Sequence, residues 1–489
     1  MNKKSRILLL MFFASLSVMC FSQNTLTLED CFGIAEKNSL EIQQTKNDLQ
    51  QAEYNYKFYK RQYTPSLYFG GTIPAFNRSI SKITLPDGTE AFVSQSVGSY
   101  SGTLSLTQPL PWTSGEIYLS TGLQRLDLYT DNKTTSYLAT PINIGLRQPL
   151  FGYNAYRWDR KIEPLKYREA QQKCIEQTEI LNEKVVTAYF DCLVAQRDLY
   201  ISKTNLANAD TLFDIMTQRY QAGKITEDEL LQVEVSKLNY ELAVAEKENT
   251  LKSNFDILYN ILRTEKNKTI SLQEPANLKL NYIDSEEAYR KAEGNGMITL
   301  THQRQMLEAE SNYDRIKKSN GISLELNGTL GLSKTDKSIP DVYNGLLNQE
   351  VVTLSLNIPI VDFGKKKYQR KAAEITKINT ELSIEQQKQD NRQAIEKLVN
   401  DFNTKALQVN TLEKTKDLND KRYYITKERF ISGKINFLEY SNAEQQKANS
   451  ELEYLKLLQT IYQSYYQIRQ VTLFDWQQNQ MIKKEIPLN

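Results

Sequence analysis

The residue types that could do chemistry are few in this chain, and their spacing leaves them without partners. The one histidine, His302, has no Cys, Asp or Glu around it at metal-ligand intervals, and inside a stretch patterned as a helix it reads as an exposed polar residue. Asp362-Phe363-Gly364 matches a kinase tripeptide, but no Gly-rich loop or catalytic loop accompanies it, so it reads as a strand-to-helix turn. Of the four cysteines, Cys20 falls in the leader, and the odd set of Cys31, Cys174 and Cys192 cannot form a complete disulfide framework. Cys174 and Cys192 share a helix face ~27 Å apart, too far to bond within one helix. All three read as small packing residues. No acid-base or nucleophile constellation appears, so the sequence predicts no enzyme, no cofactor and no metal.

Composition points to long, narrow helical packing. The chain has 489 residues, 40% of them hydrophobic, and a mean hydropathy of -0.55, which argues against several oily globular cores. Its 61 basic and 59 acidic residues leave a net charge of +2, with no basic footprint for nucleic acid. Residues 1–22 read as a signal peptide, with Lys3, Lys4 and Arg6 ahead of an apolar run and cleavage near Ser22 or Gln23. Met19 sits where a lipoprotein signal takes a small residue, which speaks against lipidation of Cys20. Beyond the leader no apolar run reaches the length of a conventional membrane-spanning helix.

The chain is duplicated. Arg219-Tyr220-Gln221-Ala222-Gly223-Lys224-Ile225 returns 210 positions later as Arg429-Phe430-Ile431-Ser432-Gly433-Lys434-Ile435, each a predicted reversal between two helices through a left-handed Gly. Earlier in each half the offset is 257, as in Ala35, Asn38, Ala52 and Tyr56 against Ala292, Asn295, Ala309 and Tyr313. The difference of 47 residues falls between the helices and predicts an insertion around 109–129. Helices are expected over 27–63, with Thr27 as N-cap, over 153–221, with a kink or delayed start at Pro164, and over 226–263. In the last of these Leu231, Val235, Leu238, Leu242 and Ala245 form a heptad seam, continued by Leu251, Phe255, Leu258 and Leu262, the pattern of a bundle core. Two regions alternate with period two instead, clearest in 322–332 and 352–360, where every second residue but Gly328 is Ile, Leu or Val. One apolar and one polar face fit a membrane barrel, and about four clear strands per chain cannot close one alone.

On this duplicated layout, the Gln148-Pro149-Leu150-Phe151 and Ile358-Pro359-Ile360 strand exits and the two Gly tips, the chain resembles the TolC-like outer-membrane efflux proteins. The resemblance implies a mainly α fold with a membrane β-barrel: a homotrimer with an α-helical tunnel and a shared 12-stranded barrel in outer-membrane lipid, the tunnel lying in the periplasm. The expected layout is a first repeat over 23–265 with strands in 66–152, a connector over 266–284, a second repeat over 285–478 with strands in 321–361, and a tail over 479–489. The implied function is a passive exit duct of a tripartite efflux or type I secretion system, serving a periplasmic adaptor and an inner-membrane RND or ABC transporter. Gly223, Lys224, Gly433 and Lys434 match the adaptor-docking tips. Glu439 and Asn442 match the two positions that line the periplasmic aperture, with Asn442 replacing an acidic residue, and Tyr440 beside them could close it by packing. The alternatives are a trimeric coiled-coil surface adhesin, which would carry one terminal anchor, and a periplasmic scaffold without a channel.

Overall fold

A computed structural model of the protein describes residues 24–84, 86–129, 133–265, 270–275 and 278–482; the leader, Cys20 and the end of the tail lie outside them. In order along the chain come β1 (Asn24–Leu26), α1 (Leu28–Asn38), α2 (Leu40–Arg61), β2 (Ser66–Thr84), β3 (Glu90–Leu110), β4 (Gly115–Leu128), β5 (Thr134–Pro149), α3 (Ala155–Gln221) and α4 (Glu227–Leu262). The order then repeats with β6 (Ile270–Leu272), α5 (Ser285–Asn295), α6 (Met297–Ser319), β7 (Ser323–Asp336), β8 (Leu347–Asn357), α7 (Lys365–Ile431), α8 (Phe437–Thr472) and the short β9 (Phe474–Asp475) and β10 (Gln480–Met481). The chain divides into a helical unit, Met1–Asp48, Gln171–Thr299 and Gln389–Asn489, and a sheet unit, Leu49–Ala170 and Leu300–Lys388.

Local signals set the helix starts. Thr27 accepts from the Asp30 N–H while the Asp30 carboxylate accepts from the Thr27 N–H, and Thr226 and Glu229 repeat this reciprocal cap at the start of α4. Asp284 caps α5 through the Glu287 N–H at 2.8 Å. The expected first helix is broken in two at Ser39, and the repeat breaks at the matching Gly296. Both residues are in extended conformation there. Pro164 does not interrupt α3: the helix starts at Ala155, two residues later than expected, and runs through the proline.

The helical unit has three apolar clusters. In the first, Cys31, Ala35 and Ile42 pack against Val185, Tyr189 and Cys192 of α3 and Leu458 of α8. Burial pushes the Cys31 and Cys192 thiols up to about 12, so both are inert packing groups. The second joins Ala288 and Ala292 of α5 to Val399 and Phe402 of α7 and Ile461 and Ile468 of α8. The third gathers Leu212, Met216, Val233, Tyr423, Phe430 and Tyr440. The expected connector contains β6, which pairs in parallel with β1, and the Tyr189 hydroxyl pins both by donating to the Leu26 carbonyl at 2.9 Å and the Gln273 carbonyl at 2.5 Å. Three-residue strands carry too little pattern to be read from sequence.

Two expectations about burial are corrected. The seam is core only in its second half: Leu231, Val235, Leu238 and Leu242 are between 49% and 67% exposed, whereas Leu258 and Leu262 of its continuation are buried. The inward face of α4 is set by Val233, Leu258, Tyr259 and Leu262, and the exposed first half of the seam lies on another face of the same helix. His302 is buried in the sheet unit, with Nε2 at 3.1 Å from the Gln387 Oε1, which gives it a polar partner and no ligand set. Among the described residues no group of His, Cys, Asp and Glu could hold a metal ion.

The sheet unit holds one antiparallel sheet in the order β2-β3-β4-β5-β7-β8. It has six strands where about four were expected, because the insertion supplies an additional hairpin, with β4 occupying the predicted site. A 12-stranded barrel from three chains needs four strands from each, so this chain departs from that count.

Candidate functional site

Both hairpin tips belong to the helical unit and share one backbone geometry. Gly223 has φ +66° and Gly433 φ +72°, the left-handed region that glycine enters without a Cβ penalty. The Gly223 N–H donates to the Tyr220 carbonyl and the Lys224 N–H to the Arg219 carbonyl, each at 2.9 Å. Gly433 to Phe430 and Lys434 to Arg429 repeat both bonds at 2.9 Å, so both helices end in a Schellman motif. A Cβ built at either glycine would meet no atom within 4 Å, and Lys224 and Lys434 are exposed. The Arg219 guanidinium donates to the Ile431 carbonyl and ties one tip to the other.

Beyond the second tip, Asn436 caps α8 by accepting from the Glu439 N–H at 2.9 Å. Glu439 therefore stands at the third helical position, the counterpart of Glu229 in the first repeat, where a carboxylate complements the helix dipole. Thr226-x-x-Glu229 has the capping-box spacing, and the matching helix start gives Glu439 a local reason to be acidic. Glu439 and Asn442 are both exposed. Tyr440 is only 1% exposed within the chain; it stacks on Phe430 with ring centroids 5.2 Å apart and packs beside Tyr423 and Phe437.

Sequence reading missed Glu444. It is buried, and its carboxylate accepts from the Tyr240 hydroxyl at 2.6 Å and the Tyr440 hydroxyl at 2.7 Å. Nearby, Asn208 donates to the Tyr423 hydroxyl at 3.0 Å and accepts from Lys427 at 2.7 Å. Burial raises the Glu444 carboxyl above the ordinary carboxylate range despite these donors. Nothing in its sequence neighbourhood gave a sign that a carboxylate would face inward.

In the sheet unit the two faces differ. Register places Leu67, Leu106, Leu119, Ile144 and Leu330 in one row across β2, β3, β4, β5 and β7. Leu326 with Leu354 and Leu324 with Leu356 continue that face to β8. The opposite face carries the row Ser105, Ser120, Asn143, Gly331 and Gln349, and near it Arg147 binds Glu116 at 2.7 Å and reaches Glu325 at 3.8 Å. Trp112, Phe151 and Phe363 are exposed where strands turn or leave the sheet, and Phe76, Phe92 and Tyr129 are exposed at the other end. An apolar band between two aromatic girdles is how a barrel sits in a bilayer. After β8, Asp362 accepts from the Gly364 N–H at 3.0 Å and the Lys366 N–H at 3.2 Å, so the kinase-like tripeptide is the expected strand-to-helix turn. No helix among the described residues is long and apolar enough to cross a membrane.

A sheet with one lipid-type face, continued in the chain by paired helical hairpins, defines an outer-membrane channel protein. The chain belongs to the outer membrane efflux protein family, whose match covers residues 116–262 and 303–472, more than half of its length. Its fold is that of the TolC-like channels. Similar solved structures include the outer-membrane channel OprN, with TM-score 0.65 and 15% identity over 92% of this chain and 90% of that one. The Campylobacter jejuni CmeC outer membrane channel has TM-score 0.64 and 15% identity over 94% of this chain and 87% of that one. The open state of the Neisseria gonorrhoeae MtrE outer membrane channel has TM-score 0.59 and 14% identity over 93% of each chain. Among curated proteins none matches the chain in sequence.

Proposed function

We propose that three copies of this chain form the exit duct of a tripartite efflux or type I secretion system, with the helical part in the periplasm. The observation that carries this reading is the sheet, apolar on one face and unpaired along β2 and β8. Open edges leave backbone groups unsatisfied in lipid, so the sheet has to close with further copies. The exposed seam of α4 is a second surface suited to a neighbouring copy.

The duct does no chemistry; an inner-membrane RND or ABC transporter supplies the driving force. A periplasmic adaptor docks at Gly223, Lys224, Gly433 and Lys434, where open space beside both glycines lets another backbone approach. Copies of Glu439 form one acidic ring at the periplasmic aperture and Asn442 a polar one, while Tyr440 holds the tip from inside. The test is deletion of the gene with complementation by the intact chain and by Leu242→Glu. Complementation by the intact chain, with loss of the detergent-stable trimer and of efflux in the variant, supports the duct. Full efflux from a monomer would remove it.

A further inference from the structure

We propose that the free edge of β2 in one copy pairs with the free edge of β8 in the next, and that three copies so joined close a barrel of eighteen strands. The inference rests on the reading of the chain as a duct shared by three copies, and it deepens that reading by fixing the width of the membrane passage.

The strand directions allow it. The six strands alternate along the sheet, each antiparallel to its neighbour, so β2 and β8 run in opposite senses. Set side by side, the edges of two copies continue the same antiparallel ladder without a break in alternation. An odd number of strands per chain would force a parallel seam at every joint.

The first hairpin carries the same membrane signature as the other strands. A narrower barrel could be made from β4, β5, β7 and β8 alone, with the β2–β3 hairpin folded away from the bilayer. Three observations oppose that arrangement. β2 and β3 have 19 and 21 residues, well above the ~9 to 11 that a tilted spanning strand needs. Their apolar residues are in register with the apolar face of the rest: Leu67 and Leu106 align with Leu119, and Phe69 and Leu104 share a row one step further on. A hairpin in water would have no need to place these side chains on the lipid face.

The turn that joins β3 to β4 is also fixed at the end of the sheet where the helices begin. Asn154, just before α3, donates to the carbonyls of Pro111 at 3.2 Å and Trp112 at 3.1 Å, and Gln148 donates to the Thr113 carbonyl at 2.9 Å. β2 starts at this same end, since it pairs with the part of β3 that runs into this turn. At this end β2 and β3 are thus level with β4 and β5, and at the other end their hairpin runs on past the Leu128↔Thr134 pair to Thr84↔Glu90. In the duplicated sequence β2 is the counterpart of β7 and β5 that of β8, so the 47 additional residues fall in β3 and β4, between two strands that the second half also has.

Barrel diameter grows roughly linearly with strand number, so eighteen strands give a lumen about 1.5 times as wide as twelve and roughly twice the cross-section. Barrels of 16 to 18 strands hold an open aqueous channel. The passage here is lined by the Ser105, Ser120 and Asn143 face and is too wide to select its cargo, which leaves selection to the helical end.

The test is electron cryomicroscopy of the detergent-extracted full-length protein together with cysteine crosslinking in intact outer membranes. Crosslinking places Leu67→Cys in turn with Val352→Cys, Leu354→Cys and Leu356→Cys, and Leu119→Cys with the same three. Eighteen strands in a three-fold assembly, with covalent oligomers from at least one Leu67 pair and none from the Leu119 pairs, is the expected result. A three-fold assembly with twelve strands, or crosslinking from Leu119 on β4, overturns the wide barrel and leaves the duct intact. The absence of any three-fold assembly overturns the duct itself.

Discussion

α4 and α8 are counterparts in the duplicated sequence, equal in length and entered through the same Schellman turn, yet they are used differently. α8 buries fourteen residues inside the chain, among them Tyr440, Glu444, Tyr454 and Ile461, whereas α4 buries four and leaves its best heptad seam in the open. The same backbone plan thus serves one helix as core and the other as a flank. Duplication preserves where the chain turns; it does not preserve which face is covered.

The largest expected effect comes from emptying the better-filled tip. Tyr440→Ala removes a fully buried ring and strips Glu444 of a donor, at a cost of about 3 to 5 kcal/mol to the local structure. Its counterpart Leu230 is only partly buried against the same cluster, so Leu230→Ala should cost well under half as much. Amide hydrogen exchange over 423–440 compares the two; equal protection loss would mean that the tips are equally packed.

Next come the glycines. Gly433→Val must place a β-branched residue at positive φ, at about 1 to 2 kcal/mol, with no steric clash in addition. The expected outcome is a trimer that still reaches the membrane but exports nothing, whereas Gly433→Asn, which tolerates that conformation, keeps most of its export. Drug susceptibility beside membrane crosslinking measures both. Normal export from Gly433→Val would reduce the tip to a plain turn.

A smaller effect follows from pH. Burial raises the Glu444 carboxyl, so the folded tip holds that proton more tightly than the unfolded chain does. The stabilisation is therefore complete below the ordinary glutamate value, ~4.3, and declines as pH rises through the raised folded value. Glu444→Gln should flatten this decline and strengthen the tip at neutral pH, as read by exchange rates between pH 4 and pH 8. A steeper decline in the variant would show that the carboxylate is bound in its charged form.

The smallest expected effect is electrical. Glu439→Gln should reduce cation preference in planar-bilayer conductance without altering assembly, whereas Glu229→Gln, its counterpart as a cap, should leave selectivity alone. Unchanged selectivity in both would leave Glu439 with its place beside the helix dipole.

What was legible in the sequence was whatever repeats or punctuates. The Gly tips, the strand-to-helix turn at Asp362 and the place of the insertion could all be read, because Gly, Pro and period-two alternation act locally. Burial was less legible: the Leu231–Leu242 seam and the inward stripe through Val233 have the same period, and only packing partners decide between them. His302 and Glu444 were hidden for a related reason, since each is a polar residue whose partner, Gln387 for the first and Tyr240 for the second, lies on a distant stretch of chain.

The third apolar cluster draws on α3, α4, α7 and α8 together, and the Arg219 guanidinium fastens the first tip to the last carbonyls of the second. The two hairpins thus share one core and one tie at their ends. Met216 of the first hairpin and Phe430 of the second sit in that one cluster, so neither tip has a core of its own.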